Sequence, residues 1–413
     1  MASEILDSKT DIPLLYMNNT PQSLRTHIGF FGRCNVGKSS LINALTGQSV
    51  AIVSDVAGTT TDAVVKSMEI GALGACVVID TAGFDDGSAL GEKRLEQTLR
   101  AAERCDMAVV VCGASEDYDL EKEWLGKFAA RKVPTLVVLG KGDMLIEPAE
   151  RAEKIERALG VRPLLVSAAK GEGIAELVDA LTRLRPEGGA ELTITGGLVG
   201  AGDLVVLVMP QDGSAPKGRL ILPQVQTLRE LLDLRATAVC CQPEELEQTL
   251  KGLAKAPKLI ITDSQAFGAV APRVPKGTLL TSFSVLMACY KGDGGRFAAG
   301  ARTIDALTEQ SRVLIAEACT HAPASEDIGR VKLPLMLRRK VGAGLAVDVV
   351  GGADFPEDLT PYDLVIHCGA CMFTRAHVLS RLARAEAQGV PMTNYGMALA
   401  HLQGILGRVV MPK

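Results

Sequence analysis

The sequence predicts an α/β protein of three domains: a phosphate-loop domain followed by two smaller α/β units with mainly parallel sheets. Three observations support this. The chain has 413 residues and 47% hydrophobic residues, enough for two or three separate cores. Apolar strand patterns alternate with helical patterns, as in parallel sheets with helical crossovers. A glycine-rich loop lies between the first predicted strand and the first predicted helix.

Composition narrows the range of functions. The net charge is −4 and no long Lys/Arg run occurs, so we expect no nucleic-acid partner. The N-terminus lacks a hydrophobic signal core and no apolar segment reaches membrane-spanning length, so we expect a cytoplasmic protein with no membrane partner. Ten cysteines in a chain of this size favour reduced thiols and a metal site over a disulfide scaffold. Five of them lie in or beside apolar elements and are predicted to be core residues: Cys76, Cys105, Cys112, Cys240 and Cys241.

Turn-rich stretches divide the chain. Residues 1–25 are polar and are predicted to be a flexible tail, and the phosphate-loop domain spans 26–186, ending at the breaker-rich linker that follows Leu184. Residues 187–268 form the middle unit, and 269–413 form the last unit, with a helix predicted at Thr278–Tyr290. The middle unit has a thin core, so it is expected to pack on a neighbour or on a second copy of itself.

The glycine-rich loop fits the GxxxxGKS phosphate-loop pattern, with a strand before it and a helix after it. Converging backbone N–H groups and a helix N-terminus favour the binding of phosphate. Lys38 is placed to bridge the terminal phosphates, and Ser39 offers a hydroxyl to Mg²⁺. The predicted nucleotide-binding residues of this loop are Gly32, Asn35, Val36, Gly37, Lys38, Ser39 and Ser40.

Two motifs further along the chain lie at the distance from the phosphate loop that is typical of nucleotide-sensing switch segments. Thr59 and Thr60 lie in a polar loop from which a threonine could reach Mg²⁺. Asp80 and Gly83 end a buried strand, where they can hold the water shell of the metal and sense the third phosphate. Lys38, Asp80 and Gly83 are the predicted catalytic residues.

Two further loops, Gly140–Asp143 and Ser167–Lys170, each follow an apolar strand. The ordered motifs resemble the translation-factor class of GTPases, in the branch that contains TrmE, Era and Der. The resemblance implies GTP hydrolysis with Mg²⁺ and a guanine site made by Lys141, Asp143, Ser167 and Ala168. It also implies that Asn35 binds K⁺, a hypothesis that equal turnover in sodium and potassium buffers would remove.

Two departures from related enzymes bear on mechanism. Phe84 follows Gly83 where Ras-like enzymes carry the glutamine that orients the attacking water, so slow intrinsic turnover is expected. Gly140 stands where the family has asparagine, so the side-chain amide for the guanine N7 is missing. We expect weakened guanine affinity with the preference over adenine retained.

Sulfur and imidazole groups follow two predicted strands of the last unit. Cys319 and His321 come after one strand, and His367, Cys368 and Cys371 come after another. Parallel strands put their carboxyl ends at one edge, so the three thiols are expected on one rim. By chemistry alone the rim suits a zinc site completed by His321 or His367, a redox pair of Cys368 and Cys371, an iron-sulfur cluster, or simply buried cysteines.

A CxH group followed by HCxxC at the end of a TrmE-like GTPase resembles the HydF family of FeFe-hydrogenase maturation GTPases, as do the segments Leu220–Thr227 and Leu280–Ser284. The resemblance implies a dimerisation domain in the middle and a cluster-binding domain at the end. It implies that Cys319, Cys368 and Cys371 ligate a 4Fe-4S cluster, with His321 and His367 near an exchangeable fourth site. A homodimeric scaffold would take a two-iron precursor from radical-SAM maturases and pass it to apo FeFe-hydrogenase.

Two other functions remain open on the sequence. A TrmE/Era-type RNA-modification or ribosome-assembly GTPase with a zinc-stabilised C-terminal domain would keep the same nucleotide motifs, but it should show a basic face and does not need the CxH group. A redox enzyme that uses Cys368 and Cys371 would leave Cys319 and His321 unexplained.

Overall fold

The structure, a computed structural model, describes residues 21, 23, 25–47, 64–70, 73–85, 91–115, 117–184, 192–211, 220–318, 328–352 and 354–412. The chain divides into two compact units, Met1–Gly189 and Ala190–Lys413. In the described parts of both units, every helix is too short or too polar to cross a membrane.

The first unit is a six-stranded sheet covered by helices. Its strands are β1 (Thr26–Gly32), β2 (Val64–Ile70), β3 (Gly74–Asp80), β4 (Met107–Cys112), β5 (Thr135–Leu139) and β6 (Leu164–Leu165). Its helices are α1 (Lys38–Gly47), α2 (Gly91–Arg104), α3 (Asp119–Ala130), α4 (Pro148–Leu159) and α5 (Ile174–Leu184), with a 3-10 turn at Gly142–Met144.

The strand order β2-β3-β1-β4-β5-β6 puts β1 near the centre, with all pairs parallel except β2 with β3. All six residues of β4 are buried, as expected for a parallel strand with both faces covered. β1 is flanked by β3 on one side and by β4 on the other, so the strand order reverses at β1. In open α/β sheets, ligands bind at the carboxyl end of the strands where the order reverses. The phosphate loop begins there, and Phe30 of β1 pairs with Asp80 of β3.

The second unit contains two parallel four-stranded sheets. One has the order β10-β9-β7-β8 and comprises β7 (Leu204–Val208), β8 (Thr237–Cys241), β9 (Leu259–Thr262) and β10 (Leu279–Ser282). The other has the order β12-β11-β13-β14 and comprises β11 (Arg312–Glu317), β12 (Ala346–Gly351), β13 (Leu364–His367) and β14 (Met392–Asn394).

Eight helices are described in this unit: α6 (Leu222–Asp233), α7 (Leu246–Gly252), α8 (Phe267–Val270), α9 (Phe283–Lys291), α10 (Gly294–Arg302), α11 (Leu333–Val341), α12 (Arg375–Ala387) and α13 (Tyr395–Leu402). Short 3-10 turns lie at Pro243–Glu245, Ser264–Ala266, Ala271–Arg273 and Thr303–Ala306, and a π-helical turn at Ile328–Lys332 leads into α11.

The two sheets of the second unit share one hydrophobic core. Val206 and Leu280 from the first sheet belong to the same buried cluster as Leu314 and Val365 from the second. The chain end also returns to β10, where the Val410 N–H donates to the Leu280 carbonyl at 2.9 Å. The thin middle segment therefore packs on a neighbour within its own chain, one of the two arrangements that its composition predicts.

One predicted helix is partly a strand. Thr278–Tyr290 was expected to be helical, but Leu279–Ser282 forms β10 and pairs with β9, and α9 begins only at Phe283. The Ser282 hydroxyl ends the strand and caps the helix by accepting the Val285 N–H at 3.2 Å. The sheet of the middle segment thus includes a strand beyond residue 268.

The burial of five cysteines outside the sequence motifs can be compared with their predicted place in the hydrophobic cores. Cys76, Cys105 and Cys112 are buried, as predicted for core residues of the first unit. Cys240 is exposed and Cys241 only partly buried, so the prediction of two core cysteines in the middle unit was wrong. Both lie on β8, an edge strand of its sheet, where neighbouring elements cover less of the strand.

Candidate functional site

The phosphate loop connects β1 to α1 and encloses its lysine. Lys38 is 7% exposed, and its Nζ donates to the carbonyl oxygens of Gly32 at 3.1 Å and Arg33 at 2.8 Å. Burial lowers the pKa of Lys38, and the negative charge of Asp80 opposes the shift. Asn35 adopts a left-handed conformation with φ of 60°, which turns the loop. The loop therefore holds a cation at its centre, as phosphate binding requires.

Ser39 and Asp80 form the candidate magnesium pair. The Ser39 hydroxyl donates to Asp80 Oδ2 at 2.6 Å, joining the start of α1 to the end of β3. The other carboxylate oxygen, Oδ1, is buried and has no hydrogen-bond partner among the described residues. A buried carboxylate oxygen without a donor, next to a hydroxyl, suits a hard cation or its water shell. These residues fit Mg²⁺.

The segment after β3 lies against the phosphate loop. A Cβ built on Gly83 would overlap the sulfur and the backbone of Cys34, so only glycine allows this approach. The Phe84 N–H donates to the Gly32 carbonyl at 3.2 Å, and its ring is stacked on Trp124 with centroids 4.7 Å apart. Phe84 is 8% exposed. A buried, apolar side chain cannot orient an attacking water, so slow intrinsic turnover stays a prediction.

Sequence reasoning missed three residues that hold this loop in place. Asp85 Oδ1 accepts the Cys34 N–H at 2.6 Å, and Arg33 makes two hydrogen bonds with Glu121, at 2.9 and 3.2 Å. The Glu121 side chain is 1% exposed, and its hydrogen bond raises the pKa of Arg33. The sequence contained one signal for the burial of Glu121, because Glu121 lies three residues before Trp124 and therefore on the same buried face of α3.

The base-recognition residues lie at the ends of β5 and β6. The Ser167 hydroxyl donates to Asp143 Oδ1 at 2.7 Å, and this bond is the main cause of a lowered pKa at Asp143. Asp143 therefore stays ionised at neutral pH and can accept the N1 and 2-amino protons of guanine. The aliphatic stem of Lys141 lies over Gly37, and Ala168 is half-buried beside Ser167.

Gly140 fits the backbone of the phosphate loop. A Cβ at this position would lie 2.7 Å from the Val36 carbonyl oxygen and 3.2 Å from Val111. An asparagine could be accommodated only if the phosphate loop moved. The glycine is therefore matched to the packing of this chain.

Replacing Asp143 by alanine is expected to remove the preference for GTP over ATP. Adenine offers no donor where guanine offers two, so GTP affinity should fall roughly 10- to 100-fold while ATP affinity stays constant. Calorimetric titration of both nucleotides measures this, with Glu176→Ala, an exposed position on α5, as the control. Comparable GTP and ATP affinities in the unsubstituted chain would contradict the assignment of Asp143.

The cysteine loop, residues 368–374, follows β13 at the carboxyl edge of its sheet. β11 pairs directly with β13, and the Cys368 N–H donates to the Ala316 carbonyl at 2.9 Å. Cys368 Sγ accepts the N–H of Ala318 at 3.0 Å and of Ala370 at 3.4 Å. Ala318 is the residue before Cys319. The described chain that leads into Cys319 therefore ends beside Cys368.

The surroundings of Cys368 suit a metal-bound thiolate. Two backbone N–H groups directed at one sulfur stabilise negative charge on it. Burial raises the pKa of the Cys368 thiol to about 11, so the free thiol is protonated at neutral pH and would release its proton on binding metal. A Cβ built on Gly369 meets no described atom within 4 Å, so the loop has open space at this residue.

His367 is enclosed in the interior. Its Nδ1 lies 2.9 Å from the Cys368 carbonyl oxygen and its Nε2 lies 3.0 Å from Arg381 Nη1. Burial and the charge of Arg381 lower the pKa of His367 to about 3, so the ring is neutral. Both ring nitrogens thus lie within hydrogen-bond distance of protein groups, and the placement of His367 near the fourth metal position stays a prediction.

Other predicted site residues lie outside the described parts of the chain: Thr59, Thr60, Cys319 and His321. Within the described parts, His, Cys, Asp and Glu side chains form no group of three that could hold a metal ion. Ser39, Ser40 and Asn35 are exposed on the phosphate loop, and Val36 is buried beneath it.

Three family models match the chain. A model described as 50S ribosome-binding GTPase matches residues 27–141. Models described as Hydrogen maturase F dimerization domain and Hydrogen maturase F tetramerization domain match residues 194–292 and 295–412. The chain is a HydF-type GTPase. This confirms the predicted resemblance to HydF.

Known relatives of this HydF-type chain match its GTPase part. The tRNA modification GTPase MnmE of Heliobacterium modesticaldum is 34% identical over 155 residues, covering 37% of this chain and 33% of that protein. GTPase Era of Carboxydothermus hydrogenoformans is 34% identical over 166 residues, covering 39% and 55%. GTPase Der of Rhodopseudomonas palustris is 37% identical over 164 residues, covering 39% and 35%. The chain therefore spans about a third to a half of the length of these relatives.

Among solved structures, an Era variant of Aquifex aeolicus bound to GDP.AlF4− aligns with a TM-score of 0.33 and 20% identity, covering 52% of this chain and 93% of that chain. The described sheets agree with the predicted fold class, a phosphate-loop GTPase domain with further, mainly parallel domains. The family description adds tetramerization for residues 295–412, which the sequence did not predict.

Proposed function

We propose that this HydF-type GTPase hydrolyses GTP during the maturation of an FeFe-hydrogenase and carries a 4Fe-4S cluster. In this proposal it accepts a two-iron precursor from radical-SAM maturases and delivers it to the apo-hydrogenase. The observation that carries the proposal is the hydrogen bond from Ala318 to Cys368 Sγ, because it puts the chain leading into Cys319 beside one of the predicted thiol ligands.

Three thiolates suit a carrier. Cys319, Cys368 and Cys371 would hold three irons of the cluster and leave one iron weakly coordinated. A precursor can exchange at that iron without the loss of a thiolate bond. Since both ring nitrogens of His367 are engaged by protein groups, we place His321 beside the fourth iron and give His367 the role of fixing the start of the cysteine loop.

In the nucleotide site, Lys38 and the backbone N–H groups of the phosphate loop would neutralise the terminal phosphates of GTP. Ser39 and Asp80 would hold Mg²⁺, which polarises those phosphates when bound. We propose that Asn35 also binds K⁺ beside the phosphates, so turnover should be higher in potassium than in sodium buffer.

We further propose that the chain is a homodimer formed through residues 194–292, which match the dimerization model.

A reconstitution assay tests the proposed function. Apo FeFe-hydrogenase is incubated without oxygen with the radical-SAM maturases and this protein, and hydrogen evolution is measured. Activation should require this protein and should be lost with Cys371→Ser but kept with Cys240→Ser, a substitution of an exposed cysteine elsewhere in the second unit. Equal activation when the protein is left out would contradict the proposal.

A further inference from the structure

A buried lysine joins the end of α9 to the cysteine loop. Lys291 is the last residue of α9 and is 2% exposed. Its Nζ lies 3.0 Å from the carbonyl oxygen of Ala370, 3.2 Å from that of Cys371 and 2.7 Å from that of Phe373. An ammonium group has three protons to donate. All three can therefore be used on the backbone that carries the two cysteines.

A second cation, on the residue that directly follows the cysteine loop, contacts the end of α9. Arg375, the first residue of α12, places Nη1 2.6 Å from the Tyr290 carbonyl oxygen, 3.1 Å from that of Gly292 and 3.4 Å from that of Cys289. Carbonyl groups at a helix C-terminus lack partners inside the helix. Lys291 thus donates to carbonyl groups of the cysteine loop, and Arg375 donates to carbonyl groups at the end of α9. We call these two residues the Lys291–Arg375 clamp.

The clamp acts on the residue whose N–H faces the sulfur. Ala370 has φ of 52°, a left-handed conformation that residues with a Cβ rarely adopt. Its N–H lies 3.4 Å from Cys368 Sγ, and its carbonyl oxygen is one of the three bound by Lys291. By holding that carbonyl, Lys291 favours the conformation in which the Ala370 N–H points to the sulfur.

The same clamp connects the loop to the other sheet of the unit. β10 runs directly into α9, with Ser282 as the cap of the helix, and α9 ends at Lys291. The middle sheet is therefore linked to the cysteine loop by one helix and two cations.

We propose that Lys291 and Arg375 are positioning residues that hold the cysteine loop in its ligand-binding conformation before the metal arrives and fix it to α9. The proposal rests on the proposed cluster role of Cys368 and Cys371. The positive charge of Lys291, held on the backbone of the cysteine loop, would also stabilise the extra electron of a reduced cluster. Lys291 would therefore raise the reduction potential of a bound cluster.

Hydrogen exchange of the metal-free protein tests the clamp without any cluster. In Lys291→Met, amide exchange within 368–374 should be about tenfold faster or more, the factor expected for loss of one hydrogen bond to a charged group. Arg375→Met should accelerate exchange at 288–292. Lys251→Met, which removes an exposed lysine of α7, should leave both segments at the wild-type rate.

Redox titration of the reconstituted cluster gives the second readout, in which Lys291→Met should shift the midpoint potential to a lower value and Lys251→Met should not. Wild-type exchange rates in 368–374 together with an unchanged potential would overturn the clamp. Faster exchange spread over the whole second unit would overturn it as well, since it would indicate general destabilisation. A wild-type chain that takes up no iron would instead overturn the proposed function.

Discussion

Replacing Cys319 by serine is expected to remove most of the iron from this protein while leaving GTP turnover near the wild-type value. Loss of one of three thiolates should lower cluster affinity by more than about 100-fold, because changes in mere supporting residues of metal sites already cost about 10- to 100-fold. The nucleotide site draws its described residues from the first unit and should be unaffected. Iron analysis and phosphate release on the same anaerobic preparation measure both quantities.

The control for this experiment is Cys240→Ser, which alters an exposed thiol in the second unit outside the proposed site. It should keep the wild-type iron content. Iron retained at wild-type stoichiometry in Cys319→Ser would show that this cysteine is not a ligand, and the site would then need a different set of donors.

Replacing Lys38 by alanine is expected to have the opposite effect. Removing the cation at the centre of the phosphate loop should lower GTP turnover by about 10²- to 10³-fold, the usual effect of losing one preorganised electrostatic group. The iron content should not change. Steady-state phosphate release at saturating GTP measures the effect, and a thermal melt shows whether the first unit remains folded when the Gly32 and Arg33 carbonyls lose their donor.

Lys122→Ala is the matched control, since it removes an exposed lysine of α3 in the same unit. Turnover of Lys38→Ala within a few-fold of the control would contradict the role of Lys38. Together the Cys319 and Lys38 substitutions should separate the two chemistries, one affecting iron alone and the other affecting GTP alone.

Local signals were sufficient to predict the strand, loop and helix that form the phosphate loop. A strand, a loop of fixed spacing and a helix determine where Lys38 and Ser39 lie, and the strand that ends at Asp80 pairs with the strand that enters the loop. The fit of Gly140 could not be predicted in the same way. Its environment is the Val36 carbonyl, more than a hundred positions away in sequence, and only the folded chain brings the two within contact.

The rim of the second unit was predictable in part. The rule that parallel strands share a carboxyl edge placed the segments around Cys319 and Cys368 together, and the β11–β13 pairing agrees for the described residues. The enclosure of His367 by Arg381 was not predictable, because Arg381 reads as an ordinary polar residue of α12. The contact of Lys291 with the cysteine loop was not predictable either, because the loop lies 79 residues further along the chain.

The error at Thr278–Tyr290 has a physical cause. Leu279–Ser282 is short and lies directly against a strongly helical segment, so helical periodicity extends back over it. Pairing with β9, together with the Ser282 cap, decides the local structure. Tertiary contacts also explain Cys240, whose apolar neighbours suggested a core strand although β8 lies at a sheet edge.

The central claim is that the rim binds an iron-sulfur cluster, and one anaerobic purification tests it most directly. Iron, zinc and acid-labile sulfide are measured together with the absorption spectrum of the protein. We predict a brown protein with about four iron atoms and four sulfides per chain and little zinc. A colourless protein that contains zinc in place of iron would contradict the claim.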